Sequence, residues 1–304
     1  MKNEQQKKMC RWLEQSGISY RENAPMREYT TFRAGGPADL LVSPSSAEQV
    51  RDVLEACRAG DLPVTVLGNG SNTLVRDGGI RGVVLHLGPA FSQIRICKNV
   101  VTAQAGAKLG AVVNAALGAG LVGMEFAGGI PASVGGGLYM NAGAYGGELR
   151  QVVQSALVLN RDLELVCLPK EDLGLSYRHS SFMQNDSIIL EVSFCLERGD
   201  TAAARALLQE LNARRRQKQP LEFASAGSTF KRPPGQFAGA LIEAAGLKGT
   251  RIGGAQVSEK HAGFIVNLGG SAADILALIA LVQDKVYAKS GIRLEPEILV
   301  LGEE

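Results

Sequence analysis

The chain has 304 residues, of which 45% are apolar and 20% are charged, and its formal net charge is +2. These values are typical of a globular protein with a substantial core and exclude a disordered or fibrous chain. A net charge this small provides no bulk field that could hold a nucleic acid or an anionic membrane. We therefore expect no nucleic-acid partner, no membrane insertion, and recognition of any phosphate group by local contacts.

The cysteines and the first residues both indicate a cytoplasmic protein. Cys10, Cys57, Cys97, Cys167 and Cys195 are far apart and form no CxxC pair, so neither a disulfide framework nor a zinc site fits their spacing. We expect buried thiols in a reducing compartment and no metal. The first 17 residues predict an amphipathic helix without the apolar stretch of a signal peptide.

The first third of the chain, residues 1–96, predicts one α/β lobe. Its elements, in chain order, are the N-terminal helix, a strand over 38–42, a helix that begins at a capping box of Ser45 and Glu48 and ends at Gly60, and strands over 63–67 and 83–87. The turn GNGSN separates the last two strands. This order predicts a strand, helix, strand unit with a glycine loop behind it.

The rest of the chain predicts two further lobes, at residues 97–200 and 201–304. The second lobe contains a helix over 107–120, a glycine-dense segment over 123–147, and strands over 152–159, 163–168 and 188–196. The third lobe contains helices over 201–218 and 237–245, a strand over 263–268, a helix capped by Ser271 and Asp274, and a final strand over 293–301.

Two glycine-rich segments are candidates for ligand binding. GNGSN (68–72) follows an apolar strand, where successive backbone N–H groups can form an anion-binding nest to which Ser71 and Asn72 add donors. A tight turn of small residues is the alternative for this motif alone. The segment 123–147 holds nine glycines in 25 positions, which is more than turns alone require. Two such loops on neighbouring lobes indicate one large cofactor bound between them.

Seven blocks, in this order along the chain, resemble a known enzyme family. They are TTFRAGGPAD (30–39), VLGNGSNTLV (66–75), GMEFAGGIPASVGGGLYMNAGAYGGE (123–148), YRHSSF (177–182), AGSTFKRPPG (226–235), GGAQVSEKHAGFIVN (253–267) and EPEILVLG (295–302). Together they resemble the UDP-N-acetylenolpyruvoylglucosamine reductases, also called UDP-N-acetylmuramate dehydrogenases, in the shorter of the family's two forms. Any one block would be a weak signal by itself.

The resemblance implies both a fold and a reaction. The expected fold is of the α+β class, a two-lobed FAD-binding fold of the vanillyl-alcohol-oxidase (PCMH) type followed by a C-terminal α+β substrate-binding domain. The implied reaction is the NADPH-dependent, FAD-mediated reduction of UDP-N-acetylglucosamine enolpyruvate to UDP-N-acetylmuramate in bacterial peptidoglycan precursor synthesis. The FAD is expected to be non-covalent, because neither 68–72 nor 123–147 contains a histidine that could attach it.

The resemblance also implies site residues. The implied catalytic residues are Arg178, Ser228 and Glu297. The implied FAD-binding residues are Gly68, Asn69, Gly70, Ser71, Asn72, Gly128, Gly129, Ile130, Pro131, Ser133, Gly135, Asn141, Gly143, Ala144 and Tyr145. The implied substrate-binding residues are Tyr177, Lys218 and Lys231, of which the two lysines suit a diphosphate or NADPH.

The chemistry of the three catalytic candidates suits this reaction. Reduction of an enol ether that bears a carboxylate needs a hydride at one carbon, a proton at the next, and stabilisation of the charge between those events. The guanidinium of Arg178 can pair with the carboxylate, and the hydroxyl of Ser228 can protonate a strongly basic carbon. Glu297 shares its parity in the predicted final strand with Leu299 and Leu301, which indicates an inward side chain.

Two other functions remain open from the sequence. A flavin oxidase of the same superfamily would use oxygen on a small alcohol or sugar, and many such enzymes attach FAD through a histidine in the glycine loops. A nucleotide-binding regulator without turnover would keep the glycine loops and could lose the arginine, the serine or the glutamate. The sequence leaves the oligomeric state open.

Overall fold

The computed structural model describes residues 4–304, which contain seven α-helices and eighteen short strands. The helices are α1 (Glu4–Gln15), α2 (Ala47–Ala59), α3 (Leu109–Gly118), α4 (Val134–Tyr139), α5 (Thr201–Lys218), α6 (Ala238–Ala244) and α7 (Ala272–Ser290). The first nine strands are β1 (Ser19–Pro25), β2 (Pro37–Ser43), β3 (Val64–Leu67), β4 (Thr73–Val75), β5 (Ile80–His86), β6 (Ile94–Cys97), β7 (Val100–Gln104), β8 (Leu121–Val122) and β9 (Gly143–Ala144). The other nine are β10 (Gly147–Glu148), β11 (Val153–Leu159), β12 (Leu165–Pro169), β13 (Ile188–Cys195), β14 (Glu197–Arg198), β15 (Arg251–Ile252), β16 (Ala255–Val257), β17 (Ile265–Asn267) and β18 (Leu299–Leu301).

The chain folds as two compact units, each built from separate stretches of sequence. The first unit comprises the residues up to Arg21, Leu40–Asn69 and Gly82–Arg214. The second comprises Glu22–Asp39, Gly70–Arg81 and Arg215–Glu304. The predicted division into three lobes, at residues 96 and 200, stays a prediction. It follows the order of the sequence, whereas these two units group segments that are distant along the chain.

The first unit is organised around an antiparallel sheet of five strands in the order β12-β11-β13-β7-β6. Along its central strand β13 the side chains of Leu190, Val192 and Phe194 are buried, as expected for a strand that packs one face on a core. In the four-stranded sheet β1-β2-β5-β3, the strands β3 and β5 pair in parallel, with Val64 opposite Val83. The intervening turn 68–72 therefore leaves the carboxyl end of β3, as the sequence predicts.

The second unit is built around helix α7 and the antiparallel sheet β15-β16-β17. Buried Ile275, Leu278, Ile279, Val282 and Val286 form one face of α7, which confirms the predicted apolar face. The predicted capping box is also confirmed, since the Ser271 hydroxyl accepts from the Asp274 N–H at 3.1 Å. The parallel pair β4 and β18 places Leu299 opposite Thr73.

Two predictions about element ends are wrong. The N-cap of α2 is Ser46, whose hydroxyl accepts from the N–H of Gln49, and not Ser45. The final strand covers only Leu299–Leu301 and not 293–301. The buried side chains before this strand are those of Leu294 and Ile298, which are four residues apart. In a strand, residues 294, 296 and 298 would share one face, so residue 296 would be buried as well. Residue 296 is an exposed proline, which has no N–H for a sheet.

The cysteines form no disulfide, and all five lie within the described part of the chain. Their predicted burial is correct for Cys10 and Cys57 and wrong for the other three, Cys97, Cys167 and Cys195, which are exposed. Each of these three cysteines lies on an edge strand of its sheet or at the end of a strand. Successive side chains of a strand point to opposite faces, so alternate side chains at such positions face solvent. Burial raises the pKa of the Cys57 thiol to about 12.

Candidate active site

The first glycine loop contacts the second one in the first unit. The side-chain amide of Asn69 donates to the carbonyl oxygen of Pro131 at 2.5 Å, and the Asn69 N–H donates to the hydroxyl oxygen of Ser133 at 3.4 Å. Ser133 is also the N-cap of α4. A Cβ on Gly68 would lie 2.2 Å from the same hydroxyl oxygen, so a larger residue there would displace that hydroxyl. The structure therefore brings residues 68–69 and 131–133 together.

The remainder of the first glycine loop lies in the second unit, beside Thr30 and Thr31. Gly70 has a left-handed φ of +58°, and a Cβ on it would lie 2.2 Å from the carbonyl oxygen of Tyr29. The Gly70 carbonyl accepts from the Thr31 N–H at 3.2 Å. The hydroxyl oxygens of Thr30 and Thr31 are buried and have no hydrogen-bond partner in the structure. A buried hydroxyl without a partner is costly, and a bound ligand with acceptor oxygens would satisfy it.

This loop therefore fits an anionic cofactor with phosphate or carbonyl oxygens, such as FAD. The two threonines belong to the block TTFRAGGPAD, but the list of FAD-binding candidates omits them. One signal in the sequence points to these threonines: they begin the block TTFRAGGPAD, which contains two further glycines. Their burial depends on tertiary packing, which no local pattern reveals.

Ser228 and Glu297 lie on adjoining extended segments of the second unit. Phe230 pairs with Pro296, and the Glu297 N–H donates to the Thr229 carbonyl at 2.8 Å. On the other side of this segment Ser228 pairs with Phe264. Thr229 is fully buried, and its hydroxyl accepts from the Ile265 N–H at 3.1 Å. One buried residue, Thr229, thus fixes the segments that carry both candidates.

The environment of Glu297 differs from the expectation. Glu297 is half-buried and precedes β18, so the parity argument for an inward side chain does not apply to it. Its backbone carbonyl accepts from the side-chain amide of Asn72 at 3.0 Å. The hydroxyl of Ser228 is 3.5 Å from the Phe230 carbonyl oxygen, which is long for an O–H···O bond. This hydroxyl is therefore only weakly held.

His261 adjoins Ser228 and was given no role from the sequence. Its Nδ1 accepts from the Gly263 N–H at 3.1 Å, so Nδ1 is unprotonated in this arrangement and Nε2 carries the ring proton. Burial, reinforced by the positive charge of Lys248, lowers the pKa of His261 and favours the neutral ring. A Cβ on Gly263 would lie 3.0 Å from the His261 ring and 3.6 Å from the Ser228 hydroxyl oxygen. The missing side chain leaves room beside Ser228.

Arg178 occupies a strained turn of the first unit. Ser176 and His179 exchange two backbone hydrogen bonds, of 3.1 and 3.2 Å, and Arg178 between them has a left-handed φ of +52°. Such a φ is uncommon outside glycine and asparagine, and it is concentrated at functional sites. The Arg178 guanidinium donates to the Gly143 carbonyl at 3.2 Å and lies 5.2 Å from the ring centre of Tyr177. Tyr177 is 52% exposed, so the turn presents an aromatic ring and a cation at the surface of this unit.

Asn141, a candidate FAD ligand, uses its whole side-chain amide within the protein. It is fully buried, donates to Glu148 at 2.8 Å and to the Ser176 carbonyl at 2.9 Å, and accepts from the Arg150 N–H at 2.9 Å. These bonds join the segment 143–148 to the turn that carries Arg178. A role in positioning that turn fits Asn141 better than direct contact with a ligand.

Several glycines of the second glycine-rich segment serve packing within the first unit. A Cβ on Gly135 would lie 2.9 Å from that of Ala105, and one on Gly137 would lie 3.0 Å from the side chain of Leu109. These glycines let α4 approach its neighbours closely. The glycines of the segment 123–147, which the sequence led us to relate only to cofactor binding, therefore also serve close packing.

The two lysines predicted to bind substrate, Lys218 and Lys231, lie in the second unit. The Lys231 ammonium is 3.4 Å from a carboxylate oxygen of Glu295, an exposed pair of little stabilising value. Lys218 is the last residue of α5, whose Arg216 carbonyl accepts from Lys260 at 2.7 Å.

Among residues 4–304 we find no group of three or more His, Cys, Asp or Glu side chains arranged to hold a metal ion. None of the helices in that range is both long and apolar enough to span a membrane.

Comparison with known proteins defines the class of this chain. The FAD-binding domain family model matches residues 38–167. A BBE-like 1 protein of Physcomitrella patens superposes with a TM-score of 0.50 at 15% identity, covering 62% of this chain and 44% of its own, which shows a shared fold. The family model and the shared fold define an FAD-binding protein of the class expected from the sequence.

More similar proteins define the family. The model for the C-terminal domain of UDP-N-acetylenolpyruvoylglucosamine reductase matches residues 219–301. Reductases of that name from Latilactobacillus sakei and Clostridium botulinum are 50% and 52% identical, over 94% and 92% of this chain and 95% and 92% of theirs. The crystal structure of the Thermus caldophilus reductase superposes with a TM-score of 0.81 at 36% identity, covering 94% of this chain and 99% of its own. The chain belongs to the UDP-N-acetylenolpyruvoylglucosamine reductase family.

Proposed function

We propose that this chain reduces UDP-N-acetylglucosamine enolpyruvate to UDP-N-acetylmuramate, with NADPH as the electron donor and FAD as the cofactor, in bacterial peptidoglycan precursor synthesis. Family membership over more than nine-tenths of the chain supports the reaction. The structural observation that carries it is the placement of Ser228 and Glu297 on adjoining segments fixed by Thr229. The absence of disulfides suits a cytoplasmic location.

The overall reaction adds a hydride and a proton across the enolpyruvyl double bond and converts NADPH to NADP⁺. Bound FAD would accept the hydride from NADPH and pass it to the β-carbon of the enolpyruvyl group. The loops around Asn69 and Gly70 would hold this cofactor through backbone N–H groups and hydroxyls. Thr30 and Thr31 join the FAD-binding candidates because their buried hydroxyls lack partners.

The proposed catalytic residues act on the charge that develops beside the carboxylate. Arg178 would pair with the carboxylate, and Ser228 would give its proton to the adjacent carbon. The weakly held hydroxyl of Ser228 can turn toward a substrate at little cost, since its bond to the Phe230 carbonyl is 3.5 Å long. Glu297, carrying a proton taken up from solvent, would donate a hydrogen bond to the developing charge and then return its proton to the Ser228 oxygen. Tyr177, Lys218 and Lys231 are the proposed substrate contacts, and the two lysines suit a diphosphate of the substrate or NADPH.

Ser228→Ala separates the two half-reactions. NADPH reduction of the flavin does not require a proton at carbon, so it should proceed at nearly the wild-type rate in this variant. Reoxidation by the enolpyruvyl substrate should slow by about 10²-fold to 10⁴-fold, the usual contribution of a positioned proton donor. Stopped-flow absorbance at the flavin band resolves both steps. Equal slowing of the two steps in flavin-replete protein would show that Ser228 positions the flavin or NADPH and is not the proton donor.

A further inference from the structure

We propose that Asn72 is a positioning residue for Glu297, a role that its place in a glycine loop does not indicate. The inference rests on the catalytic role proposed for Glu297. Its basis is a pair of hydrogen bonds made by Asn72, one with Glu297 itself and one with Leu299, two residues further along the chain. The Asn72 side-chain amide donates to the Glu297 carbonyl at 3.0 Å, and the Asn72 carbonyl accepts from the Leu299 N–H at 2.9 Å.

The bond from the Asn72 side chain to the Glu297 carbonyl replaces a bond that the neighbouring segment, which contains Thr229, does not supply. In an antiparallel pair, two facing residues exchange both N–H···O bonds. Glu297 donates to the Thr229 carbonyl at 2.8 Å, but the Thr229 N–H donates to Gly263 instead, also at 2.8 Å. The Glu297 carbonyl therefore takes its donor from the side chain of Asn72.

The local sequence makes this donor important. Pro296 precedes Glu297 and contributes no N–H, and β18 begins only at Leu299. Glu297 thus lies outside the regular ladder, between a proline and a three-residue strand. Two hydrogen bonds, to the Thr229 carbonyl and from the Asn72 side chain, hold the backbone of Glu297, and the bond between the Leu299 N–H and the Asn72 carbonyl holds the chain just after it. Together they fix the direction of the Glu297 side chain. A displacement of about 1 Å at a reacting group can cost about 10²-fold in rate.

A double-mutant cycle tests the catalytic consequence. We expect Asn72→Ala, saturated with FAD, to slow flavin reoxidation by the enolpyruvyl substrate by about tenfold to a hundredfold, with a much smaller effect on reduction by NADPH. In a Glu297→Gln background the same change should slow reoxidation no further, because the group that Asn72 positions is already gone. Multiplicative slowing in the double variant would overturn the proposal. Asn72→Asp, which keeps the shape and loses the donor, should behave as Asn72→Ala does.

Hydrogen exchange tests the positioning without any turnover. In the FAD-free protein, amides of the segment 295–301 should exchange faster in Asn72→Ala than in the wild type, because their tether is lost. Asn69→Ala is the matched control, since its amide lies in the same loop and donates to Pro131; exchange over 295–301 should keep the wild-type rate. Unchanged exchange in Asn72→Ala would refute the tether. Normal reoxidation in Glu297→Gln would instead refute the proposed role of Glu297, and that single variant reveals it.

Discussion

The buried amide of Asn141 connects three segments of the first unit. Its backbone has a left-handed φ of +41°, a conformation that asparagine tolerates better than most residues. Its bonds to Glu148, Ser176 and Arg150 use both donors and the acceptor of the side chain. The Ser176 bond holds the first residue of the turn that carries Tyr177 and Arg178.

Asn141→Ala should therefore damage both stability and substrate binding. It removes three part-buried hydrogen bonds and leaves a cavity at a fully buried position, so we expect the free energy of unfolding to fall by about 2 to 4 kcal/mol. The loosened turn should raise KM for the enolpyruvyl substrate. Urea unfolding and steady-state kinetics measure the two effects.

Asn160→Ala provides a matched control for that variant. Asn160 also braces a turn, donating to Glu164 and accepting from the N–H groups of Asp162 and Glu164, but its bonds are exposed. Loss of these bonds should cost less than about 1 kcal/mol and leave KM unchanged. Equal destabilisation by the two substitutions would contradict the special role of Asn141.

At the scale of elements, α7 has an unusually complete N-terminus. Asp77 accepts from the N–H groups of Ala272 and Ala273 at 2.9 Å, in addition to the capping box of Ser271 and Asp274. Asp274 also accepts from the Gly254 N–H at 3.1 Å. The Gly254 bond, followed by the one from Ser271, lowers the pKa of Asp274 below its ordinary value of 3.8.

This shift predicts a specific dependence of stability on pH. A carboxyl group whose pKa is lower in the folded state stabilises the protein above its unfolded pKa, and the stabilisation is lost as pH falls through the folded pKa. In Asp274→Asn, the unfolding free energy should be lower than that of the wild type at neutral pH, and the gap should narrow below about pH 4. Urea unfolding between about pH 3 and pH 7 measures the gap. Asp284→Asn, at an exposed position of the same helix, is the control variant for the loss of one carboxylate from α7.

Local patterns predicted most of these elements but not all of their ends. The helix expected over 201–218 is confirmed as Thr201–Lys218, because apolar periodicity and its flanking residues act locally. The final strand was predicted too long because apolar residues around Pro296 are buried by tertiary packing and not by sheet alternation. Helix α4 was missed, since three of its six residues are glycines, which disfavour a helix unless close packing compensates.

At the scale of the whole molecule, the order of motifs identified the family, whereas the arrangement of the chain could not be predicted. Two short segments, Glu22–Asp39 and Gly70–Arg81, belong to the second unit, although the rest of that unit, Arg215–Glu304, lies far further along the chain. Periodicity reports neighbours in sequence and carries no information on such long-range grouping. The same limit explains why Ser228 and Glu297 were found as motif residues, while the hydrogen bonds that Thr229 and Asn72 make to the segment of Glu297 appeared only in the structure.

FAD should stabilise the folded protein and leave it on denaturation. A ligand that binds only the folded state contributes about 2.7 kcal/mol when its free concentration is about 100 times Kd. The melting temperature should accordingly rise by several degrees with added FAD. Acid precipitation should release the flavin into the supernatant, because residues 68–72 and 123–147 contain no histidine for attachment. Flavin retained on the precipitated polypeptide would contradict this expectation.

Thr31→Val and Thr30→Val test where that stabilisation originates. Valine has the shape of threonine without the hydroxyl, and both hydroxyls are buried without a partner. The FAD-free variants should therefore melt at the wild-type temperature or above it, since a costly unsatisfied group has been removed. Their melting temperatures should rise less with FAD than that of the wild type. In Thr229→Val, the control, a hydroxyl that accepts from Ile265 is lost, so the FAD-free protein should melt earlier. A full FAD-dependent rise in the Thr30 and Thr31 variants would show that their hydroxyls do not meet the cofactor.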